Sequence, residues 1–254
     1  MTLAPSAVVR EPTLTVLARP QFSEPPHRAV RSLGDATDGE RLAEYAGRLQ
    51  LASTHNPADR TSQEFLENMR RQGHESVFRH ATYSVLIEGI SAALGGPLER
   101  LPGFRCTARV QRYVELSEIR FVLPPAIIGD ADLEGKWTAT VAASLQGYRE
   151  LTESLLTRFG WVADTRQRRQ LAREAAASVL PQSTETALVA TANVDAWRHL
   201  IAAYGAEQGE LEGRRMAVAA LRVLHHETPV CFSDYAIRQA SDRRESVQVQ
   251  SHKV

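Results

Sequence analysis

The sequence predicts an α+β protein with a mixed or antiparallel sheet and long flanking helices. Apolar residues at three- and four-residue spacing indicate amphipathic helices, the longest over residues 130–159. Alternating apolar and polar residues in "ATYSVLIE" (81–88) indicate a half-buried strand. Helical and strand segments follow one another without a regular strand–helix–strand rhythm, which disfavours a doubly wound parallel sheet. We expect residues 119–123 and 184–191 to join the strand at 81–88 in one sheet.

The first part of the chain predicts an N-terminal arm followed by two short helices. Residues 1–38 contain much Pro, Ser, Asp and Gly and predict a loose arm around one short strand at 13–17. A helix begins near Gly39, where apolar residues take up helical spacing. The next helix begins at a capping box over 61–64 and ends at Gly73.

The remaining elements complete a single domain over residues 39–238. Beyond the strand at 81–88, a short helix from Ile90 ends at a Gly-Gly-Pro break at 95–97. Further helices are predicted at 165–178, 194–205 and 209–226. The polar residues 239–254 predict a disordered tail.

Charge and composition restrict the possible functions. The 30 Lys and Arg residues balance the 30 Asp and Glu residues, so the chain lacks the broad positive field that nucleic acid or a membrane surface would attract. No segment has the apolar length of a membrane span, and residues 1–30 lack the basic-then-apolar pattern of a signal peptide. We therefore expect a cytoplasmic protein with small-molecule substrates and neither nucleic-acid nor membrane partners. The two cysteines and the spacing of the histidines favour neither a disulfide framework nor a metal site.

The segment "RLPGFRCTARVQRYV" (100–114) predicts a local anion site. It contains four arginines in what we interpret as a loop: Arg100, Arg105, Arg109 and Arg112. Arginine forks suit phosphate and carboxylate groups, and in a chain of zero net charge such a site has to be local. Two alternatives remain: these arginines pair with surface carboxylates, or the preference for arginine over lysine reflects a GC-rich genome.

Three segments together resemble the flavin-dependent thymidylate synthases. They are "GHESVFRHATYSVLIEGIS" (73–91), "QRYVELSEIRFVLPP" (111–125) and "VLPQSTETALVATANVDAWRHLIA" (179–202). Their order and spacing also match, with the predicted long helix between the second and the third. The resemblance covers roughly residues 40–235.

The resemblance implies a flavoenzyme that assembles as a homotetramer with shared active sites. Residues 73–80, 100–113 and 193–199 would then converge only across a subunit interface. The implied cofactor is FAD, which a nicotinamide cofactor such as NADPH reduces, and the implied reaction moves a one-carbon unit from methylenetetrahydrofolate to C5 of dUMP. No side chain attacks the substrate in that family, so the resemblance assigns no catalytic nucleophile, and the protein supplies position and charge.

The residues that match the family lie mainly on the flavin side. Ser76, Arg100, Asn193 and His199 match and are predicted to bind FAD, although Asp195 replaces a basic residue.

On the substrate side, Arg112 and Tyr113 match the family pattern and are predicted to bind the acceptor. Arg105 and Arg109 are additional arginines, predicted to hold a carboxylate or phosphate at the rim. Tyr204 stands where the family has an arginine against the pyrimidine, and we expect it to contact the acceptor.

Other departures from the family pattern leave three functions open. Leu101 and Pro102 replace a His and an Arg, Val110 replaces a Ser, and Ala177 replaces an arginine that helps to hold the nucleotide phosphate. The first hypothesis is a flavin-dependent one-carbon transferase, of methyl or methylene, that acts on an acceptor other than dUMP in a specialised pathway. The second is a thymidylate synthase with a rebuilt site. The third is a protein that has lost catalysis and serves in binding or assembly.

Overall fold

Side-chain caps set where the main helices begin. The computed structural model describes residues 3–27, 29–30 and 34–250. The helices are α1 (Asp38–Gln50), α2 (Ser62–Arg71), α3 (Ala92–Leu98), α4 (Ala131–Arg158), α5 (Thr165–Ala176), α6 (Val194–Gly205) and α7 (Leu211–Glu227). Thr37 and Thr61 each form a capping box with the glutamate three residues further on, which confirms the prediction for α2. None of these described helices is both long enough and apolar enough to cross a membrane.

The described strands form three sheets. They are β1 (Val8–Val9), β2 (Thr13–Ala18), β3 (Thr82–Ser91), β4 (Phe104–Ala108), β5 (Phe121–Val122), β6 (Glu185–Asn193), β7 (Tyr235–Gln239) and β8 (Glu245–Val249). A four-stranded sheet has the order β2-β3-β6-β4. The pair β1 and β5 is parallel, and the pair β7 and β8 is antiparallel. Helices and sheets of this kind confirm the α+β class.

One strand prediction and one loop prediction need correction. The segment 119–123 contains only β5, which pairs with β1 and touches the β6 side through a single antiparallel bridge between Phe121 and Thr184. Two prolines follow β5, and they have no N–H to extend its pairing. The segment 100–114, predicted as a loop, contains β4, in which a buried Phe104 is followed by residues of alternating exposure.

The polar C-terminal segment is ordered as far as the structure describes it. In the β7–β8 hairpin, Tyr235 pairs with Val249 and Gln239 pairs with Glu245. Val247 is buried against the end of α6, where a Cβ on Gly205 would lie 2.6 Å from Val247 Cγ2. The expected disorder over 239–254 is therefore wrong for the described residues, because strand pairing satisfies their backbone polar groups.

The chain folds as two compact units. Unit 1 contains the N-terminal residues up to Pro12, Glu88–Glu99 and Thr107–Leu188. Unit 2 contains Thr13–Ile87, Arg100–Cys106 and the residues from Val189 onward. The single domain expected over 39–238 stays a prediction.

The core of unit 1 forms along α4 and includes the N-terminal residues. Buried apolar side chains of α4 pack with those of the segment after β4: Val141, Leu145, Tyr148, Ile119 and Phe121. Leu3 joins this cluster at 8% exposure. Arg10 donates to both carboxylate oxygens of Glu134 at 3.0 and 2.7 Å. Residues 3–12 are therefore tied to unit 1, which corrects the expectation of a loose arm there.

A buried ion pair anchors unit 2. Arg198 donates from both terminal nitrogens to Asp234 at 2.8 and 2.9 Å, and to the Cys231 carbonyl at 2.6 Å. Arg70 adds a second buried cation, with its Nη1 3.4 Å from Asp234. Burial alone would raise the pKa of Asp234, but the hydrogen bonds and charge of Arg198 and the charge of Arg70 outweigh it, so this pKa is lowered. Burial raises the pKa of the neighbouring Cys231 thiol to about 12.

Replacing Asp234 with asparagine should destabilise the protein strongly. Among the described residues, the change leaves Arg70 without its carboxylate and leaves Arg198 with only the more distant Glu75, at 3.7 Å. Breaking such a buried pair costs about 3–5 kcal/mol in the free energy of unfolding. Urea unfolding measures this loss. The control Glu245→Gln removes the partner of Arg222 from an exposed pair, where we expect less than about 1 kcal/mol. Similar losses for the two variants would contradict the structural role of Asp234.

The same pair should make stability depend on acid pH. Because the pKa of Asp234 is lower in the folded chain, its contribution is complete above the unfolded value of about 3.9 and is lost as pH falls through the folded value. We therefore expect the difference in free energy of unfolding between the parent and Asp234→Asn to shrink as the pH is lowered. Urea unfolding at a series of acid pH values measures it. A difference that stays constant or grows as the pH falls would show that folding does not lower the pKa of Asp234.

Candidate functional site

Arg100 and Arg105 present exposed cations on unit 2. Arg100 lies in the turn that follows α3. Arg105 lies on β4, and among the described residues its side chain donates only to the Phe104 carbonyl, at 3.2 Å. Between them, Gly103 has a φ of 81°, a conformation that favours glycine. Both guanidinium groups can therefore accept an anionic ligand.

Three segments of unit 2 meet at the first turn of α6. A Cβ added to Gly103 would lie 3.2 Å from the Ala196 Cβ, so the turn before β4 lies directly against the helix. Arg79, in the 3-10 helix Glu75–His80, donates to Asp195 at 2.9 Å. These segments carry the predicted cofactor residues Ser76, Arg100, Asn193 and His199. Parts of these segments touch within one chain, and the convergence of the predicted site residues across a subunit interface stays a prediction.

Asn193 caps the N-terminus of α6, and His199 presents an exposed imidazole on the same helix. Asn193 Oδ1 accepts from the Ala196 N–H at 2.9 Å and so caps α6. The N-terminus of a helix carries partial positive charge and attracts phosphate. His199 is 75% exposed, and its Nδ1 lies 2.7 Å from the Asp195 carbonyl oxygen. This contact orients the ring and leaves Nε2 available to a ligand.

The first turn of α6 has donors that fit the flavin dinucleotide implied by the resemblance. Arg100, Arg105 and the helix terminus are suited to phosphates, and His199 is suited to a ring edge or a phosphate. Asp195 would repel a phosphate, but Arg79 pairs with it and offsets its charge. Within the described ranges, no group of three or more His, Cys, Asp or Glu residues could hold a metal ion.

A buried carboxylate organises the predicted substrate side in unit 1. The Glu185 side chain is 0% exposed and accepts from Arg109 Nη2 at 2.5 Å and from Arg120 at 2.6 and 3.2 Å. The Gly89 N–H donates to it at 3.1 Å. An ionised carboxylate is costly to bury without such partners. Arg109 therefore helps to neutralise Glu185, and its predicted contact with the substrate stays a prediction.

A cleft of about 340 Å³ lies beside Glu185. We call it the β6 cleft, and its walls include Arg109, Gln111, Ala177, Pro181, Gln182 and Glu185. Gln111 Nε2 is buried and makes no hydrogen bond to any residue in the described part of the chain. Buried donors without an acceptor are uncommon in native structures, and a bound ligand would supply the missing acceptor. Ala177, at the position of a family arginine, also lines the cleft.

Arg112 and Tyr113 contact each other on the 3-10 helix Gln111–Tyr113. The Arg112 guanidinium carbon lies 5.1 Å from the centre of the Tyr113 ring. Arg112 Nη1 donates to Glu174 on α5 at 3.2 Å, and the Arg112 side chain is 41% exposed. An incoming anion would therefore compete with a surface carboxylate for Arg112.

Tyr204 packs α6 against α7. A Cβ on Gly213 would lie 2.7 Å from Tyr204 Cδ1, so only glycine leaves room for the ring. Burial and the charge of Glu210 raise the pKa of the Tyr204 hydroxyl. Tyr204 and Arg105 belong to unit 2, whereas the other predicted substrate residues belong to unit 1. Contact of Tyr204 with the acceptor stays a prediction.

Sequence reasoning missed Gln111 and Glu185. Glu185 is the single charged residue of "TETALVAT", and an acid in a strand that is otherwise apolar or neutral could have indicated a buried ion pair. Gln111 gave no comparable signal, because whether an amide is buried without a partner depends on tertiary packing.

Comparison with known proteins gives consistent matches. A family model described as thymidylate synthase complementing protein matches residues 32–230. A flavin-dependent thymidylate synthase of Mycobacterium sp. (strain JLS) is 40% identical over 238 residues, covering 91% of this chain and 92% of the relative. Those of Mycolicibacterium gilvum (strain PYR-GCK) and Mycobacterium tuberculosis (strain ATCC 25177 / H37Ra) are each 37% identical over 232 residues, with the same coverage.

A pair of variants tests whether Arg109, unlike the exposed Arg105, stabilises the fold. Arg109→Gln removes a charge-assisted hydrogen bond from buried Glu185, so we expect a loss of about 1.5–3 kcal/mol in the free energy of unfolding. The matched variant Arg105→Gln changes an exposed arginine that pairs with no carboxylate in the described part of the chain, and we expect a change within about 0.5 kcal/mol. Urea unfolding measures both. Equal stability of the two variants would show that Arg109 is not needed to bury Glu185.

Proposed function

Because the chain belongs to the thymidylate synthase complementing protein family, we propose that it is a flavin-dependent enzyme that transfers a one-carbon unit to a nucleotide. The relatives named above are flavin-dependent thymidylate synthases that match 91% of the chain. The observation that carries the proposal is the β6 cleft, which is lined by an arginine, a glutamate and an amide whose buried nitrogen has no acceptor among the described residues.

FAD is the proposed cofactor, bound at the first turn of α6. Arg100 and Arg105 would hold its phosphates together with the α6 N-terminus, and His199 Nε2 would contact a ring edge or a phosphate. When bound, FAD supplies hydride chemistry between a nicotinamide cofactor and the transferred carbon. Methylenetetrahydrofolate and NADPH are the proposed co-substrates.

The β6 cleft is the proposed acceptor site, and dUMP is the first acceptor to consider. Gln111 Nε2 would donate to a carbonyl oxygen of the pyrimidine, which removes the cost of leaving this amide unpaired. Arg112 would supply positive charge for the phosphate once it leaves Glu174. These residues bind and orient the acceptor, and position is the main contribution that a protein makes when the cofactor carries the chemistry.

A changed acceptor is the second candidate, and the chemistry of the cleft favours it. Arg109 is already paired with Glu185, whose side chain is 0% exposed. A phosphate placed in the cleft would compete with this buried carboxylate for Arg109, while Ala177 and Leu180 offer apolar contact. An acceptor with less negative charge than dUMP would avoid this competition.

Assembly as a homotetramer is also proposed. Several large apolar side chains of unit 1 are exposed and would gain from being covered by another copy: Val110, Tyr113, Leu133 and Val179. Light scattering at micromolar concentration tests this proposal, and a monomer would contradict it. A cytoplasmic location stays a prediction from the sequence.

Flavin content and acceptor binding test the proposed function. We expect the purified protein to show a flavin spectrum and to release FAD on denaturation. Calorimetry of the flavin-loaded protein should then detect dUMP binding, and activity with methylenetetrahydrofolate and NADPH should yield dTMP. If flavin is bound but dUMP does not bind and dTMP does not form, the result would favour the candidate with a different acceptor. A colourless protein that binds no added FAD would contradict both candidates and support the loss of catalysis.

Changing Gln111 should affect the acceptor and leave the flavin in place. Gln111→Leu removes the buried donor, so kcat/KM for the acceptor should fall about tenfold to a hundredfold, with FAD content unchanged. The contrasting variant His199→Ala should lower FAD affinity and leave acceptor affinity of the loaded protein unchanged. Steady-state kinetics and flavin absorbance measure the two effects. Unchanged acceptor kinetics in Gln111→Leu would remove the β6 cleft from the active site.

A further inference from the structure

Unit 1 contains a second and larger cavity that the proposed reaction does not use. Its volume is about 690 Å³, within the range of small-molecule sites. One wall comes from residues 3–7, another from 116–120, and a third from α4. We call it the N-terminal cavity. Arg109 lines both this cavity and the β6 cleft.

Positive charge predominates along the N-terminal cavity. Arg109, Arg120 and Arg149 line it, against the single carboxylate of Glu118. Behind the wall, Glu185 accepts from both Arg109 and Arg120. One buried carboxylate neutralises only one of these two guanidinium groups, so an excess positive charge remains at the wall.

The two arginines that bind Glu185 keep further donors. Arg109 uses only Nη2, and Arg120 uses Nε and Nη2. Within the described residues, Nη1 of Arg109 and of Arg120 takes part in no hydrogen bond, and Arg109 Nε is buried without a partner. Glu185 already holds these guanidinium groups in place. Because the arginine side chains lose little further freedom when a second anion binds, they are preorganised for it.

Apolar side chains also line the cavity. Leu3, Ile119 and Leu145 line it with exposures of 8%, 3% and 7%, and Ala142 lines it from α4. A ligand that fills the cavity therefore buries an apolar body against these side chains while its anionic group reaches the arginines. Such a combination suits neither a free inorganic ion nor a neutral hydrocarbon.

We propose that the N-terminal cavity binds a small organic anion, in which a carboxylate, phosphate or sulfonate is attached to an apolar or aromatic body. The anion contacts Arg120, Arg149 and the free donors of Arg109, and the body packs on Leu3 and Leu145. This site is separate from the β6 cleft and does not depend on bound flavin. Because Arg109 lines both spaces, binding at one alters the charge available at the other.

The test uses anilinonaphthalene sulfonate, an aromatic sulfonate whose fluorescence rises on binding. We expect one molecule to bind per chain, measured by fluorescence titration and equilibrium dialysis. Ala142→Phe fills the cavity and should weaken binding more than tenfold. Ala143→Phe, at the next and exposed position of α4, should leave binding unchanged. Several weak sites per chain, or equal binding by both variants, would overturn the proposal.

Charge selectivity provides a second measurement that needs no cavity-filling variant. Arg149→Gln should weaken binding of the sulfonate about tenfold or more, with no effect on neutral phenylnaphthylamine. The parent should bind this neutral analogue at least tenfold more weakly than the sulfonate. Equal affinities for the charged and neutral dyes would show that the arginines take no part and would overturn the proposal.

Discussion

The burial of a single carboxylate, that of Glu185, determines how unit 1 is arranged. It accepts hydrogen bonds from Arg109, from Arg120 and from the Gly89 N–H, which come from three separate parts of the chain. Only glycine fits at position 89. Its φ is 71°, and a Cβ there would lie 2.7 Å from the Glu11 carbonyl oxygen. Without these donors the carboxylate could not remain charged in the interior. The requirement to bury Glu185 therefore fixes the cations that line both the β6 cleft and the N-terminal cavity.

Local signals in the sequence predicted the helices, and non-local partners explain what the sequence did not predict. The capping box at Thr61 and the apolar spacing of α4 both act within a few residues, so they can be recognised in the sequence. The order of residues 3–12 depends on a core cluster contributed by α4, and the order of the C-terminal segment depends on pairing between β7 and β8. Neither partner is visible in the composition of the segment itself, which is polar or rich in turn residues.

The same distinction holds for the candidate site. Family resemblance placed Arg100, Asn193 and His199 on segments that the structure brings together at α6. It did not indicate which arginines the fold had already paired. The partner of Arg109 is 76 residues away in sequence, and that of Arg112 is 62 residues away. Contacts at such separations follow from the tertiary arrangement, so a cluster of arginines in a sequence overstates the positive charge that a ligand can use.

Burial separates the two thiols of the chain into an inert one and an accessible one. Cys231 is fully buried, and with a pKa of about 12 it forms almost no thiolate at neutral pH. Cys106 is half-buried on β4, directly after Arg105. A maleimide dye should therefore attach at one known position beside the proposed cofactor site. Cys106 can therefore be labelled without introducing a cysteine, and the emission of the attached dye can report ligand binding nearby.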